Sequence, residues 1–322
     1  KSNLTAGLTG LLLIAAPYAL LRSAPSAEDP CAQAFPTTRA AGHPQGTQLR
    51  SLPIDEVALA SAQRGGRPVR LTWSGGALLE GRGPARFPLL LSGSTPGSQV
   101  LVCAAAAPLE SEVGHHVPQY RVLYRERAAA PWLPACGADA SGAPEPALVM
   151  DGVWDERAAH QPRPGTATLA CEASVIHKCV RWGYVPWATH KGRSLRDHHQ
   201  ACTRMARADY CGDGVPHTVD GNLIEFGDSL GLHHLNASAS GWRREATWAP
   251  EGARCIDQPR LATTTLAAIE RECPGRVRTT GPAESPLLAA DGAAPPGRCD
   301  PDAEGTLLIN LTRQTADSAG MR

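Results

Sequence analysis

The chain has 322 residues carrying 31 basic and 31 acidic side chains, a balance that excludes a dedicated nucleic-acid binder, since such proteins gather a basic excess on one face. Its length accommodates one large or two ordinary domains. With 32 Gly and 28 Pro it is loop-rich, but it stays below the roughly 25–30% at which a chain reads as low-complexity.

Lys1 precedes an uncharged stretch from Ser2 to Leu21, apolar from Gly7 to Ala16, then Arg22 and the small residues Ser23 to Ala27. A short apolar core followed by small residues is the pattern of a secretory signal, whereas a full span needs about 20 apolar residues. Residues 1–27 are therefore expected to be a cleaved export signal, with a retained N-terminal anchor as the alternative and the sole expected membrane contact. All 10 cysteines follow it: Cys31, Cys103, Cys136, Cys171, Cys179, Cys202, Cys211, Cys255, Cys273 and Cys299. An even count behind an export signal points to disulfides. The absence of any Cys-x-x-Cys removes a thioredoxin-like redox centre and an ordinary zinc finger. The pairing stays open.

Val69–Trp73, Ser98–Cys103 and Gln119–Arg125 are predicted strands, being rich in β-branched and aromatic residues between turn signals. In the last, Tyr120, Val122 and Tyr124 share one face and Arg121, Leu123 and Arg125 the other. Residues 28–146 are expected to form a β-rich module ending in a linker or exposed loop, Gly137–Pro146. Residues 147–313 form the second expected unit, with a tail at 314–322. It opens with the apolar run Ala147–Asp155 and a strand at Ala167–Cys171. Ser174 is placed to cap a helix over Val175–Trp182 that Gly183 ends.

Ser194 and Asp197 suggest a short-armed capping box for a helix over Leu195–Asp209. At 100° per residue, Leu195, His198, His199, Cys202, Met205, Ala206 and Asp209 share its buried sector, with Arg204 and Arg207 outside. Nine helical steps put Cys202 and Cys211 roughly 13 Å apart, beyond the ~7 Å a disulfide allows, so each must staple the helix to another segment. Cys171 and Cys179 either bridge each other or supply two of those staples. Strands are predicted at Gly221–Phe226 and Trp242–Trp248, the latter closed by a turn at Ala249–Gly252. A helix over Leu261–Glu272 runs into Cys273, Thr279–Pro296 is irregular, and Thr306–Asn310 is a last strand. The class is α+β and disulfide-stapled: a β-rich N-terminal half, then short helices on a small antiparallel sheet.

At Lys178-Cys-Val-Arg-Trp-Gly-Tyr-Val-Pro-Trp187 and from Leu195 through Ala208-Asp209-Tyr210-Cys211 to Gly214, the chain resembles the ADYC-domain proteins. Pro216–Gly221 and Glu245–Cys255 resemble the same family, and the resemblance extends over roughly residues 147 to 311. It implies an exported bacterial protein, of a kind met in myxobacteria-like organisms, without implying a reaction.

The densest polar constellation is His198, His199, Asp209, Asp213, His217 and Asp220. A hydrolase could draw a base and its orienting carboxylate from His199, Asp209, Asp213 and His217. Eleven residues on one helix separate His198 from Asp209 by about 16 Å, so that pair cannot meet. The competing reading is structural: polar groups on the inner face of a crosslinked helix satisfy loop carbonyls and N–H groups, with Asp209 bonding amides of its own turn. His199-Gln-Ala-Cys202 is similar to the His-Asp-x-Cys segment of secreted phospholipases A2, but Gln200 stands where that family has a calcium-binding Asp. No cofactor or metal is expected. Structural calcium at Asp209, Asp213 and Asp220 is the alternative to solvated turn aspartates. Trp182, Tyr184 and Trp187 suggest a binding platform, with core packing beside Cys179 as the default. No serine elbow, phosphate loop or dinucleotide fingerprint occurs. Asn236 and Asn310 head glycosylation sequons. The leading expectation is a non-enzymatic cell-envelope or extracellular interaction module with an unidentified partner, exported to the periplasm, outer surface or medium. The alternative is a secreted hydrolase on the 195–209 helix and its following Asp-Gly loop.

Overall fold

The computed structural model describes residues 31, 51–55, 62–64, 67–69, 71–80, 83–92, 97–138, 142–235, 241–275, 299 and 303–313. The expected signal at 1–27, the Asn236 sequon, the Thr279–Pro296 segment and the 314–322 tail lie outside these residues. The principal elements are β1 (Ser51–Asp55), β2 (Leu71–Ser74), β3 (Ala77–Glu80), β4 (Leu89–Ser92), β5 (Gln99–Ala104), β6 (Tyr120–Arg125), β7 (Pro146–Asp151) and β8 (Thr166–Cys171). They are followed by α1 (Val175–Arg181), α2 (Arg196–Arg207), β9 (Leu223–Asp228), β10 (Arg243–Ala249), β11 (Gly252–Ile256), α3 (Leu266–Glu272) and β12 (Leu308–Arg313).

An antiparallel 7-stranded sheet runs β1-β8-β7-β6-β5-β4, with Leu133–Pro134 paired beside β6. Leu148 lies opposite Ala170 and Val149 opposite Leu169, so alternate residues of β7 and β8 line opposite faces. Leu148, Met150 and Ala170 pack toward the helices. Ala147, Val149 and Leu169 pack the other way, with Leu71 and Leu78 of the β2–β3 hairpin. Covering both faces explains why β7 reads as a continuous apolar run rather than an alternating one. Ala138 bridges Pro144, and Leu133–Pro134 and β7 both pair with β6, so the expected boundary at residue 146 lies between strands of one sheet.

A second antiparallel sheet, β9-β12-β10-β11, packs on α2 through β10, β11 and β12. The opposite side of α2 meets α1, and α1 lies against β8. The Ser174 hydroxyl accepts the His177 N–H at 3.2 Å and starts α1 as expected. The capping box expected for α2 does not form. Leu195, fully buried, occupies the cap position, and Ser194 Oγ accepts from Arg196 N at 3.2 Å, one residue too early. That helix stops at Arg207 because Ala208 takes a left-handed conformation, φ 49°, which costs a non-glycine residue roughly 1–2 kcal/mol. Residues His198 to Arg207 are all buried. Arg204 and Arg207, placed outside the buried sector by the helical wheel, are therefore enclosed too: sheet, helix and loop cover α2 beyond its first two residues. The third helix starts at Leu266 rather than Leu261, its Thr265 hydroxyl accepting from Ala268 N at 3.1 Å, and the β-branched run Thr263–Thr265 keeps the preceding chain out of the helix.

All ten cysteines pair, as Cys31–Cys103, Cys136–Cys171, Cys179–Cys202, Cys211–Cys273 and Cys255–Cys299. Cys202 and Cys211 are not partners and α2 is stapled at both ends, by α1 on one side and the end of α3 on the other. Cys171 does not meet Cys179, because Cys171 faces the hairpin side of the sheet and Cys179 the helical core. Replacing both Cys179 and Cys202 by Ala opens a bridge spanning a sequence separation of 23. Urea unfolding of that oxidised variant is expected to show a loss of about 3 kcal/mol, the other four bridges remaining in a non-reduced peptide map.

Candidate functional site

The left-handed turn at Ala208 sends the next three side chains in different directions. Asp209 folds back on α2, its Oδ2 lying 2.5 Å from Arg204 Nη1 and accepting from Gly214 N at 3.0 Å. Arg204 also donates to the carbonyls of Arg157 and Pro250, holding two loops to the helix. Burial lifts the Asp209 carboxyl above its ordinary value, and Arg204 pulls it back. Tyr210 turns into the core and stacks on Trp248 at 5.4 Å between centroids, while Cys211 reaches Cys273. Two glycines let this turn touch the β10–β11 hairpin directly: a Cβ on Gly212, φ 71°, would fall 1.8 Å from the Glu251 carbonyl. One on Gly252, φ 127°, would fall 2.6 Å from that of Tyr210.

Beneath the end of α2 lies Arg260, 2% exposed. Its five N–H groups all find acceptors: Nε and Nη2 meet the Glu245 carboxylate at 2.9 and 3.0 Å. The remaining three reach Ala206 O at 3.0 Å, Thr218 Oγ1 at 3.1 Å and Met205 O at 2.6 Å. Glu245 also accepts from Tyr210 Oη at 3.1 Å and Asn310 Nδ2 at 2.8 Å. Tyr210 Oη takes the Arg260 N–H at 2.8 Å, and Asn310 Oδ1 takes Trp248 Nε1 at 2.8 Å. A cation at the helix C-terminus meets the negative end of its dipole, and a buried pair is sustained only when its remaining donors and acceptors are filled. Both conditions hold here. Asn310 is fully buried, so its sequon is a network residue and offers no glycan site in the folded protein.

His199 is fully buried, edge-on to Trp154 at 4.7 Å, with Nε2 on the Ile176 carbonyl at 3.0 Å. Because a carbonyl only accepts, Nε2 carries the proton and the basic Nδ1 is enclosed without a partner. Burial drives this ring's pKa down to about 3. His217 bonds Glu272 Oε2 through Nε2 at 3.0 Å and packs on Tyr210, its Nδ1 likewise enclosed. Asp213 is exposed and accepts from Val215 N at 3.0 Å, an ordinary Asx turn. The four catalytic candidates therefore bond to separate partners and do not converge. Asp209, Asp213 and Asp220 share no ligand either, and among the described residues no group of three or more His, Cys, Asp or Glu side chains is arranged to hold a metal. Gln200 fastens the 158–160 loop, accepting from His160 N and donating to Ala158 O at 2.9 and 2.7 Å.

The aromatic platform is divided among packing roles. Trp182 lies against Phe226 at 4.8 Å. Tyr184, fully buried, donates to Asp228 Oδ2 at 2.9 Å. Trp187 covers the β2–β3 turn so closely that a Cβ on Gly76 would fall 2.3 Å from its ring. At the opposite end of α2, a constellation the sequence reading did not single out joins His198 Nε2 to Ser229 Oγ at 3.1 Å. Glu245, Arg260 and Asn310 were also missed. A Glu directly before the uncharged run Ala246–Ala249 was the one local signal; Arg260 and Asn310 become meaningful only across the fold.

A family model described as the ADYC domain matches residues 91–262. This span begins earlier than the expected 147, taking in β5, β6 and β7, and ends before the expected 311. No curated protein and no solved structure matches.

Glu245→Gln leaves Arg260 buried without a counter-charge, and urea unfolding is expected to register a loss of about 3–5 kcal/mol. A second prediction concerns acid. His177 and His199 are held near pKa 3 by burial, against an ordinary 6.5 in the unfolded chain. Between these values the unfolded state binds protons that the folded state refuses, so stability falls as pH falls below 6.5, by about 1.4 kcal/mol per pH unit for each ring. Denaturation curves at a series of pH values down to about 5 should show that slope, and His199→Gln should remove one ring's share of it.

Proposed function

The chain belongs to the ADYC-domain family, and from that premise we propose that it is an exported, disulfide-stapled interaction module of the cell envelope or extracellular space. The observation that carries the proposal is the pairing of every cysteine: bridges of this number persist in oxidising compartments and are reduced in the cytosol. The apolar segment before Arg22 supplies the export route, to the periplasm, the outer surface or the medium.

The family's own signature supports a scaffold role. Ala208 ends the helix, Asp209 fixes Arg204, Tyr210 closes the Glu245–Arg260 network and Cys211 forms a bridge. None presents a reactive atom to solvent. A hydrolase built on His199, Asp209, Asp213 and His217 would need an accessible base, and both imidazoles have one nitrogen bonded and the other enclosed.

The test starts from intact mass. Protein recovered from its native host is expected to lack residues 1–27 and to be ten hydrogens lighter than its reduced form, one pair for each bridge. Labelled oxidised protein should bind the host's envelope or secreted fraction saturably, with binding abolished by reduction and unaffected by Asp213→Ala. No saturable binding would overturn the interaction module, and turnover of a lipid, peptide or glycan that Asp213→Ala abolishes would favour the hydrolase instead.

A further inference from the structure

We propose that Ser229 is a nucleophile that accepts acyl groups from carboxylic esters, with His198 as its general base. The inference goes beyond the interaction-module reading and rests on different residues. Among the histidines buried along α2 and its following loop, His199 bonds a carbonyl and His217 a carboxylate, both pure acceptors. His198 instead bonds a hydroxyl, and that hydroxyl belongs to an exposed residue. Ser229 thus combines an imidazole nitrogen 3.1 Å from its Oγ with an exposed position in the chain, the pairing that activates a serine.

The surroundings hold both partners in place. Ser229 follows β9 directly, and its N–H donates to Leu307 O at 3.0 Å. The preceding Asp228 carboxylate accepts the N–H groups of Leu230, Leu232 and His233 at 2.8, 3.2 and 2.8 Å, so the turn carrying the hydroxyl is fixed by four hydrogen bonds. His198, 2% exposed, sits in the first turn of α2 with its ring stacked on Tyr184 at 6.1 Å. The Tyr184 hydroxyl closes the loop by donating to Asp228. His198 Nδ1 is enclosed without a partner; in the tautomer that accepts from Ser229 it holds its N–H without an acceptor, and Nε2 is the atom through which the ring exchanges a proton with Ser229. Burial lowers the ring's proton affinity, with Asp228 and Asp197 opposing and Arg193 reinforcing the shift, which leaves the ring neutral at neutral pH. Lys191 Nζ donates to Leu230 O at 3.1 Å. That bond places a cation beside the turn that carries the hydroxyl.

The chemistry closes on itself. Ser229 Oγ attacks the ester carbon as its proton passes to His198 Nε2, and the carbonyl electron pair moves onto oxygen. Collapse breaks the C–O bond to the alcohol, which leaves with the proton from Nε2. Water then attacks the acyl-serine, giving its proton to Nε2, and the released Ser229 oxygen recovers it.

The experiment uses the full oxidised chain and a fluorophosphonate probe, which forms an Oγ–P bond and expels fluoride. One adduct per chain, mapped to Ser229 and formed roughly 10²-fold faster than any labelling of Ser229→Ala, is the expected result. Wild type labelling no faster than Ser229→Ala, or an adduct mapped elsewhere, overturns the proposal. His198→Asn, verified by its five bridges in a non-reduced mass, should lose the same factor, and undiminished labelling in that folded variant overturns the dyad as well. Ser229 being exposed, the Ser229→Ala comparison decides the matter even if His198→Asn does not fold. With p-nitrophenyl acetate the wild type should release p-nitrophenolate in a burst of one equivalent that Ser229→Ala lacks, and identical traces count against an acyl-serine.

Discussion

The guanidinium of Arg260 is the group on which the C-terminal half of the fold depends. It sits where the last carbonyls of α2, the carboxylate of β10 and the loop after Tyr210 converge, and it bonds all of them. Without it the Met205 and Ala206 carbonyls would each lose a donor in a region closed to water. Glu245 would then be a charge enclosed by Tyr210, Trp248 and Asn310. Such networks strengthen when every member is satisfied and become costly when one is missing. The arrangement therefore specifies one packing of helix against sheet, which apolar surface alone would leave able to slide.

The disulfides act on a different part of the problem. Arg260 and Glu245 fix the angle and register of elements already in contact, whereas the bridges reduce the freedom of segments far apart in the chain. Cys179–Cys202 clamps the two helices, Cys211–Cys273 ties the end of α2 to α3, and Cys255–Cys299 holds Cys299 beside β11. In the ADYC segment the two devices are adjacent residues: Tyr210 belongs to the polar network and Cys211 to a bridge. Four consecutive positions thus stop a helix, neutralise an arginine, complete a network and crosslink the chain. A sequence signature of this type follows from structure as readily as from chemistry.

How much of this could be read from the sequence depended on distance along the chain. Local grammar was legible: the Ser174 cap, the hairpin at Ala249–Gly252 and the impossibility of a Cys202–Cys211 bridge all follow from neighbouring residues. What failed needed knowledge of the other side of the fold. Arg204 and Arg207 read as solvent-facing because a helical wheel assumes one wet face along the whole helix, and from His198 to Arg207 α2 has none. Asp209 was placed inside the helix because Ala at position 208 gives no hint of a left-handed turn. The bond from Ser229 to His198 spans 31 residues, and neither neighbourhood announces the other. Arg260 lies 50 residues from Tyr210 and 15 from Glu245, so its role depends on tertiary structure.

The strand order of the second sheet sets a condition on when folding can finish. In the sequence β9-β12-β10-β11 the last strand lies between two earlier ones, and it also delivers Asn310 to Glu245. A chain emerging N-terminus first has β9, β10 and Arg260 in hand but cannot join them until residues 308–313 arrive, since long-range pairings must await their partner. Until then β9 and β10 have an unfilled gap between them and Glu245 lacks one donor. The C-terminal half therefore remains open through nearly the whole of its emergence and closes in a late step. A polypeptide with that order of events stays threadable for as long as it is still passing through a pore.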